Sequence, residues 1–230
     1  MSIAFNSPLA LLQAPEASDD VITYLQSYSG RFFEPLAAMS AANRFGAADM
    51  VAVSCLSVQV PAETAGWLIL GDGAEESARL LTQMRTDRSQ TLVDHDLESN
   101  HAAAELWRLL TSRRDVGPTV ASKLLAAKRP HLVPIFDSYV ADFLLPAEHR
   151  QRWQWWGPWR ALLTGDQAEA LSNALRALRA EVAAAAHQAP IAELSDLRLI
   201  DIVIWMREDR QRRTSRKAKS LEQHRKPGAA

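Results

Sequence analysis

The segment DVGPTVASKLLAAKRPHLVPIFDSYV, residues 115–140, gathers the residues best spaced to do chemistry. A glycine, Gly117, runs directly into Pro118, and an isolated aspartate, Asp137, follows 20 residues after the glycine. Gly117 can take a positive φ without steric cost, Val116 can plug the core beneath the turn, and Pro118 suits the first helical turn, where its missing N–H is not needed. The amides of Gly117 and Thr119 are then left without partners, and amides at a helix N-terminus form an anion site. Thr119 and Lys123 would add a hydroxyl and a charge. The same residues also describe a plain corner between two helices, with glycine as the stop signal. Asp137 precedes SYVADFLL and reads as an N-cap that accepts from backbone amides. A cap whose carboxylate faces a cleft can also be a catalyst.

The elements that must position these residues are helical nearly throughout. Ser18 and two acids open DDVITYLQSYSG, which Gly30 closes. A second helix is expected over about Ala47–Val58, and Pro61 sits where a first helical position would be in PAETAGWLIL. AEESARLLTQMR is amphipathic, TDRSQTLVDHDLE reads as a loop, and Ser99 or Asn100 is placed to cap HAAAELWRLLTSRR. The tryptophan-rich RWQWWGPWRALL, the Ala-Leu helix after Asp166 and the helix DLRLIDIVIWMRE, capped by Ser195, complete the chain. No period-2 alternation rich in β-branched residues competes with these patterns. The expected class is all-α, a globule of nine or ten helices in which residues 104–128 form a helical hairpin. Residues 1–206 read as one domain, with room for two lobes sharing a cleft, and 207–230 as a basic, disordered tail.

Composition sets the outer bounds. The chain has 230 residues, 47% of them apolar, and one cysteine. That excludes an internal disulfide framework and a cysteine-based zinc cluster, and Cys55, inside MVAVSCLSV, reads as a small core residue. The N-terminus lacks a basic n-region, and no apolar run approaches a membrane span of roughly 18 residues; a cytoplasmic protein is expected. Net charge is −1, yet from Arg207 onward nine Lys or Arg face three Asp or Glu, so this tail carries +6 and the rest −7. Such a tail serves solubility or attracts nucleic acid without sequence preference. Arginine outnumbers lysine 21 to 5, the coding bias of a GC-rich genome, so arginine content by itself does not point to DNA. His101 and His131 read as surface or cap residues, with no metal-ligand spacing.

Turn, helix and aspartate together resemble the helix-hairpin-helix DNA glycosylase superfamily, of the endonuclease III and alkyladenine glycosylase type. In that family a Leu-Pro-Gly-Val-Gly hairpin leads into a helix, a proline-containing link and a short segment with the catalytic aspartate. DVG stands at the hairpin and PIFDSYV at the aspartate segment. Upstream, DMVAVSCLSVQVPAET resembles the family helix whose glutamine probes the space left by a flipped-out base, with Gln59 in that position. The resemblance covers roughly residues 47–145, and the whole chain also resembles an actinobacterial family of unassigned function. It implies a monofunctional glycosylase acting on a damaged or modified base in duplex DNA, nucleoid-associated, with Asp137 catalytic and Val116, Gly117, Thr119, Lys123 and Gln59 on DNA. Tyr28, Tyr139 and Trp156 are candidates for the base pocket. The chain departs from the pattern at Asp115, which replaces the first hairpin glycine, and at Thr119, where bifunctional members carry a lysine, so no lyase chemistry is expected. The iron–sulfur cysteines are absent, leaving no expected cofactor beyond a monovalent cation on the hairpin carbonyls. The alternative is a non-catalytic nucleic-acid-binding or regulatory protein on the same fold.

Overall fold

The computed structural model describes residues 6–84, 91–94, 101–145, 155–186, 191 and 194–225, with side chains to residue 217. No strand occurs among them. Among the described residues twelve α-helices follow one another: α1 (Leu9–Leu12), α2 (Ala17–Ser27), α3 (Phe33–Ala38), α4 (Ala47–Cys55), α5 (Ala62–Ile69), α6 (Gly73–Thr82), α7 (Ala102–Thr111), α8 (Pro118–Lys128), α9 (Ser138–Leu144), α10 (Trp156–Thr164), α11 (Ala168–Ala185) and α12 (Asp196–Arg225). A 3-10 turn, Ser29–Phe32, lies between α2 and α3. The count exceeds the nine or ten expected because short turns such as α1 and α3 lack the length for a periodic signal.

Helix α8 is the centre of the molecule. Val120, Ala121, Leu124, Leu125 and Ala126 are buried, and so are Ser122, Lys123 and Lys128 on its other sides. A helix buried all round sits inside the packing instead of over it, and α3, α4 and α7 pack on α8. The first half of α12 is a second such helix, burying Leu199, Ile200, Ile202 and Ile204 together with Arg198 and Asp201. It packs on α2 and α9, which brings the two chain ends of the core together around the start of α9.

Val116, 5% exposed, is buried where α7 and α8 pack on each other across a short turn. The turn's positive φ belongs to Asp115, at 61°, whereas Gly117 is extended at φ −89° and ψ −178°. The left-handed step is therefore taken two residues earlier, by a residue type that tolerates it better than most. Pro61 is the N-cap of α5 instead of its first helical residue, and α4 stops at Cys55, short of Val58. Gly30 does not close α2, which ends at Ser27. It lies in the 3-10 turn, where an added Cβ would fall 1.7 Å from the Tyr24 hydroxyl, so glycine makes room for Tyr24. The tail assigned to disorder continues as helix to Arg225, and as far as Arg213 its charges pair along or across α12, as Arg213 does with Asp209 at 2.7 Å. Ser99, Asn100, Trp153 and most of the expected loop over 86–98 lie outside the described residues; the α7 cap that is described is His101, whose Nδ1 accepts from Ala103 N at 3.1 Å.

Candidate functional site

Where α9 begins, the chain has crossed from α8 by an extended link. Ser122 Oγ, on α8, accepts from Phe136 N at 2.8 Å and fixes that link one residue before Asp137. Asp137 Oδ1 then accepts from Tyr139 N at 2.9 Å, the expected N-cap. Its other oxygen, Oδ2, stands 3.7 Å from Lys123 Nζ, and the side chain keeps 21% of its surface accessible. The carboxylate is thus held by two partners and still open on one side.

That side is a cavity of about 270 Å³, the small end of ligand pockets and suited to one ring system. Asp137, Lys123, Asp201 and Arg198 contribute its charged groups; Tyr24, Tyr28, Tyr139 and Trp205 contribute aromatic ones. The rings form one assembly. Tyr139 stacks on Trp205 with centroids 5.9 Å apart, Trp205 meets Tyr28 edge-on at 5.3 Å, and Tyr28 stacks on Tyr24 at 5.7 Å. Arg212 lies 3.9 Å over the Tyr139 ring and pairs with Asp142 at 2.5 Å. Ser57, at the end of α4, completes the wall in a left-handed conformation, φ 62°.

The charges alternate in sign from the interior outward. Arg198, fully enclosed, donates to Glu34 Oε1 at 2.7 Å, to the Tyr24 hydroxyl at 2.6 Å and to Asp201 Oδ2. Asp201 Oδ1 is buried and, among the described residues, has no hydrogen-bond partner. Burial, opposed by Arg198, pushes the Asp201 carboxyl up to about 6. Lys123 lies between Asp201 and Asp137 electrostatically; burial lowers its pKa and both carboxylates raise it. Its ammonium also donates to Leu56 O at 2.8 Å, closing the end of α4.

Four of the residues singled out in the sequence, Asp137, Lys123, Tyr28 and Tyr139, meet in this cavity. Lys123 is not a surface charge for phosphate: it is 2% exposed, because α8 has no solvent face to put it on. Gln59 lies beyond the end of α4, exposed, and does not line the cavity. Trp156 is 8% exposed and packs edge-on against Trp107 at 5.3 Å, a core residue. Gly117 and Thr119 sit apart from the cavity at the α8 N-terminus, Gly117 exposed and Thr119 half-buried. Among the described residues nothing accepts from the amides of Thr119 or Val120. Asp115 beside them pairs with Arg114 at 3.5 Å, which moderates its repulsion of an anion. The sequence reading missed Tyr24, Arg198, Asp201 and Trp205. A signal existed for two of them: Arg198 and Asp201, three apart, interrupt an otherwise apolar helix face.

Fold and site define an all-helical protein with a small aromatic cavity closed at its floor by a buried chain of charges. Residues 17–208 match the model of a family of unknown function, DUF6308, and the chain belongs to that family. No curated protein and no solved structure matches the chain. Among the described residues no group of His, Cys, Asp or Glu could hold a metal ion, and no helix is long and apolar enough to cross a membrane.

Proposed function

We propose that the protein is a monofunctional DNA glycosylase that hydrolyses the N-glycosidic bond of a damaged or modified base held in the Asp137 cavity. The observation that carries this reading is the Asp137 carboxylate, fixed by Tyr139 N and Lys123 yet accessible in a ring-sized aromatic cavity. Breaking an N-glycosidic bond builds positive charge on the sugar, and a fixed carboxylate stabilises that charge and orients a water for attack. The base must first leave the stack, at roughly a few kcal/mol, and aromatic contact returns about 1–3 kcal/mol per base. Lys123 supports the same step from behind by position: its ammonium stands 3.7 Å from Asp137 Oδ2 and holds the carboxylate toward the cavity. Phosphates on either side of the extruded nucleotide would meet the amides of Thr119 and Val120 and the arginines of α12.

The test is a panel of duplex oligonucleotides carrying alkylated, deaminated and oxidised bases, with release read as alkaline cleavage at abasic sites. Release of one of these bases by the wild type, lost in Asp137→Asn, is the expected outcome. Duplex binding at low salt with no release from any oligonucleotide would instead establish the non-catalytic binding module. That second reading draws on the −7 charge of the body ahead of residue 207, which opposes a close approach of DNA to the cavity.

A further inference from the structure

The cavity holds a second carboxyl that the reaction above does not use. Asp201 is 4% exposed and shares the cavity with Asp137. Its Oδ2 is engaged by Arg198, while Oδ1 is buried without a donor among the described residues. A buried carboxylate oxygen left unpaired is costly, and two things relieve it: a proton on that oxygen, or a ligand group hydrogen-bonded to it. The surroundings are arranged to allow both. Arg198, Tyr24 from α2, Lys123 from α8 and Asp137 from the start of α9 face Asp201, with Glu34 from α3 behind Arg198. Arg198 keeps Glu34 as a partner when Asp201 is neutral, so a proton on Asp201 does not strand the guanidinium.

Resting on the glycosylase reading, we propose that Asp201 is the acid that protonates the departing base, and that the cavity therefore serves uncharged bases. As the C1′–N bond breaks, its electron pair goes to the base and the Asp201 proton goes with it. A water oxygen bonds C1′ and gives its proton to Asp137. The products are the free base and the sugar hydroxyl, and the two carboxyls then exchange protons with solvent. An uncharged base is a poor leaving group as an anion and needs such a proton. An N7-alkylated purine already carries positive charge and leaves neutral without one. Burial raises the Asp201 carboxyl to about 6, which suits it to give a proton near neutral pH, while Asp137 faces the same cavity from the start of α9.

Single-turnover release from duplexes bearing hypoxanthine, uracil, 8-oxoguanine or 7-methylguanine, measured between pH 5 and 8, tests this. The wild type is expected to release an uncharged base at a rate that falls as pH rises through about 6. Asp201→Asn should lower that rate about 100-fold or more and remove the pH dependence, with thermal melting showing the fold retained. Release confined to 7-methylguanine, or an Asp201→Asn protein with the wild-type rate and pH profile, would overturn the proposal while leaving the glycosylase reading intact. Should the variant fail to fold, the wild-type profile decides: a rate on an uncharged base that does not fall across this range overturns it. No release of any base by the wild type defeats the underlying reading, and this inference with it.

Discussion

Asp137 caps α9 through Oδ1, and in the proposed reaction its charge also stabilises the sugar cation; substitution separates the two roles. Asparagine caps a helix nearly as well as aspartate, so Asp137→Asn should keep its acceptor to Tyr139 N and melt like the wild type, while base release falls by about 100-fold or more with the charge gone. Asp137→Ala should lose the cap as well, lowering stability by about 1 kcal/mol in urea denaturation. An Asp137→Asn protein with full activity would leave Asp137 as a cap alone. Gly117 poses a related question. Its φ is −89° and an added Cβ would meet nothing within 4 Å, so the fold does not require glycine there. Gly117→Ala should leave the melting temperature unchanged but weaken duplex binding, because a methyl group now stands where a phosphate would approach the backbone. Equal duplex affinity in the variant would remove the hairpin from the DNA-binding surface. The Asp137 position was legible in the sequence because a cap is a local device, written within three residues. The environment of Asp201 was not, since its pairing with Arg198 is stabilised by Glu34, 164 residues from that arginine, and sequence proximity carries no trace of it.

At the scale of the element, α8 explains why Lys123, expected to face an anion, is buried, and Lys128 with it. Its alanines and leucines occur on all sides, so no face remains for solvent, and each lysine must find an internal partner. Lys128 Nζ lies 2.6 Å from Asp49 Oδ2 and donates to Ala41 O at 3.1 Å. The side chains of the ion pair are 1% and 0% exposed. Removing one partner of a buried ion pair costs about 3–5 kcal/mol, so Lys128→Met should lower unfolding free energy by that order in urea titration. A loss under about 1 kcal/mol would mean that water reaches Asp49. The caps Asp137 and Ser195 were readable from local residue types, but an all-round buried helix gives a weak periodic signal and misleads as to where its charges go. Asp201 on α12 adds a pH signature. Its folded carboxyl titrates near 6 against 3.8 ordinarily, so the folded state holds a proton that the unfolded chain has released. Stability from this group is therefore full below about pH 4 and falls as pH rises toward 6. Because other carboxylates titrate in the same range, the readout is the difference between wild type and Asp201→Asn, which should grow in favour of the variant across that window; a constant difference would contradict the raised carboxyl.

Across the whole molecule, charge is divided between a −7 body and a +6 segment that begins where α12 leaves the core. The nearer arginines are committed to the fold: Arg210 pairs with Asp20, Arg212 with Asp142 at 2.5 Å, and Arg213 with Asp209 at 2.7 Å. Arg212 also covers Tyr139 at the cavity. Beyond Arg213 the sequence adds Arg216, Lys217, Lys219, Arg225 and Lys226 against the single acid Glu222, so the surplus of cations lies farther along the chain than the groups that build the site. Deleting residues 214–230 should consequently act on DNA affinity without acting on the reaction. Binding should weaken to a similar degree for every duplex sequence, and the slope of log K against log salt should become shallower by about 0.9 for each phosphate that the shortened protein no longer neutralises. Base release at saturating protein should stay at the wild-type rate, because Arg212 and Arg213 still hold the aromatic wall. A truncated protein with unchanged affinity and salt slope would assign the basic segment to solubility. One that binds normally but no longer releases base would place residues 214–230 in the site itself, against the separation of grip and chemistry that the charge distribution implies.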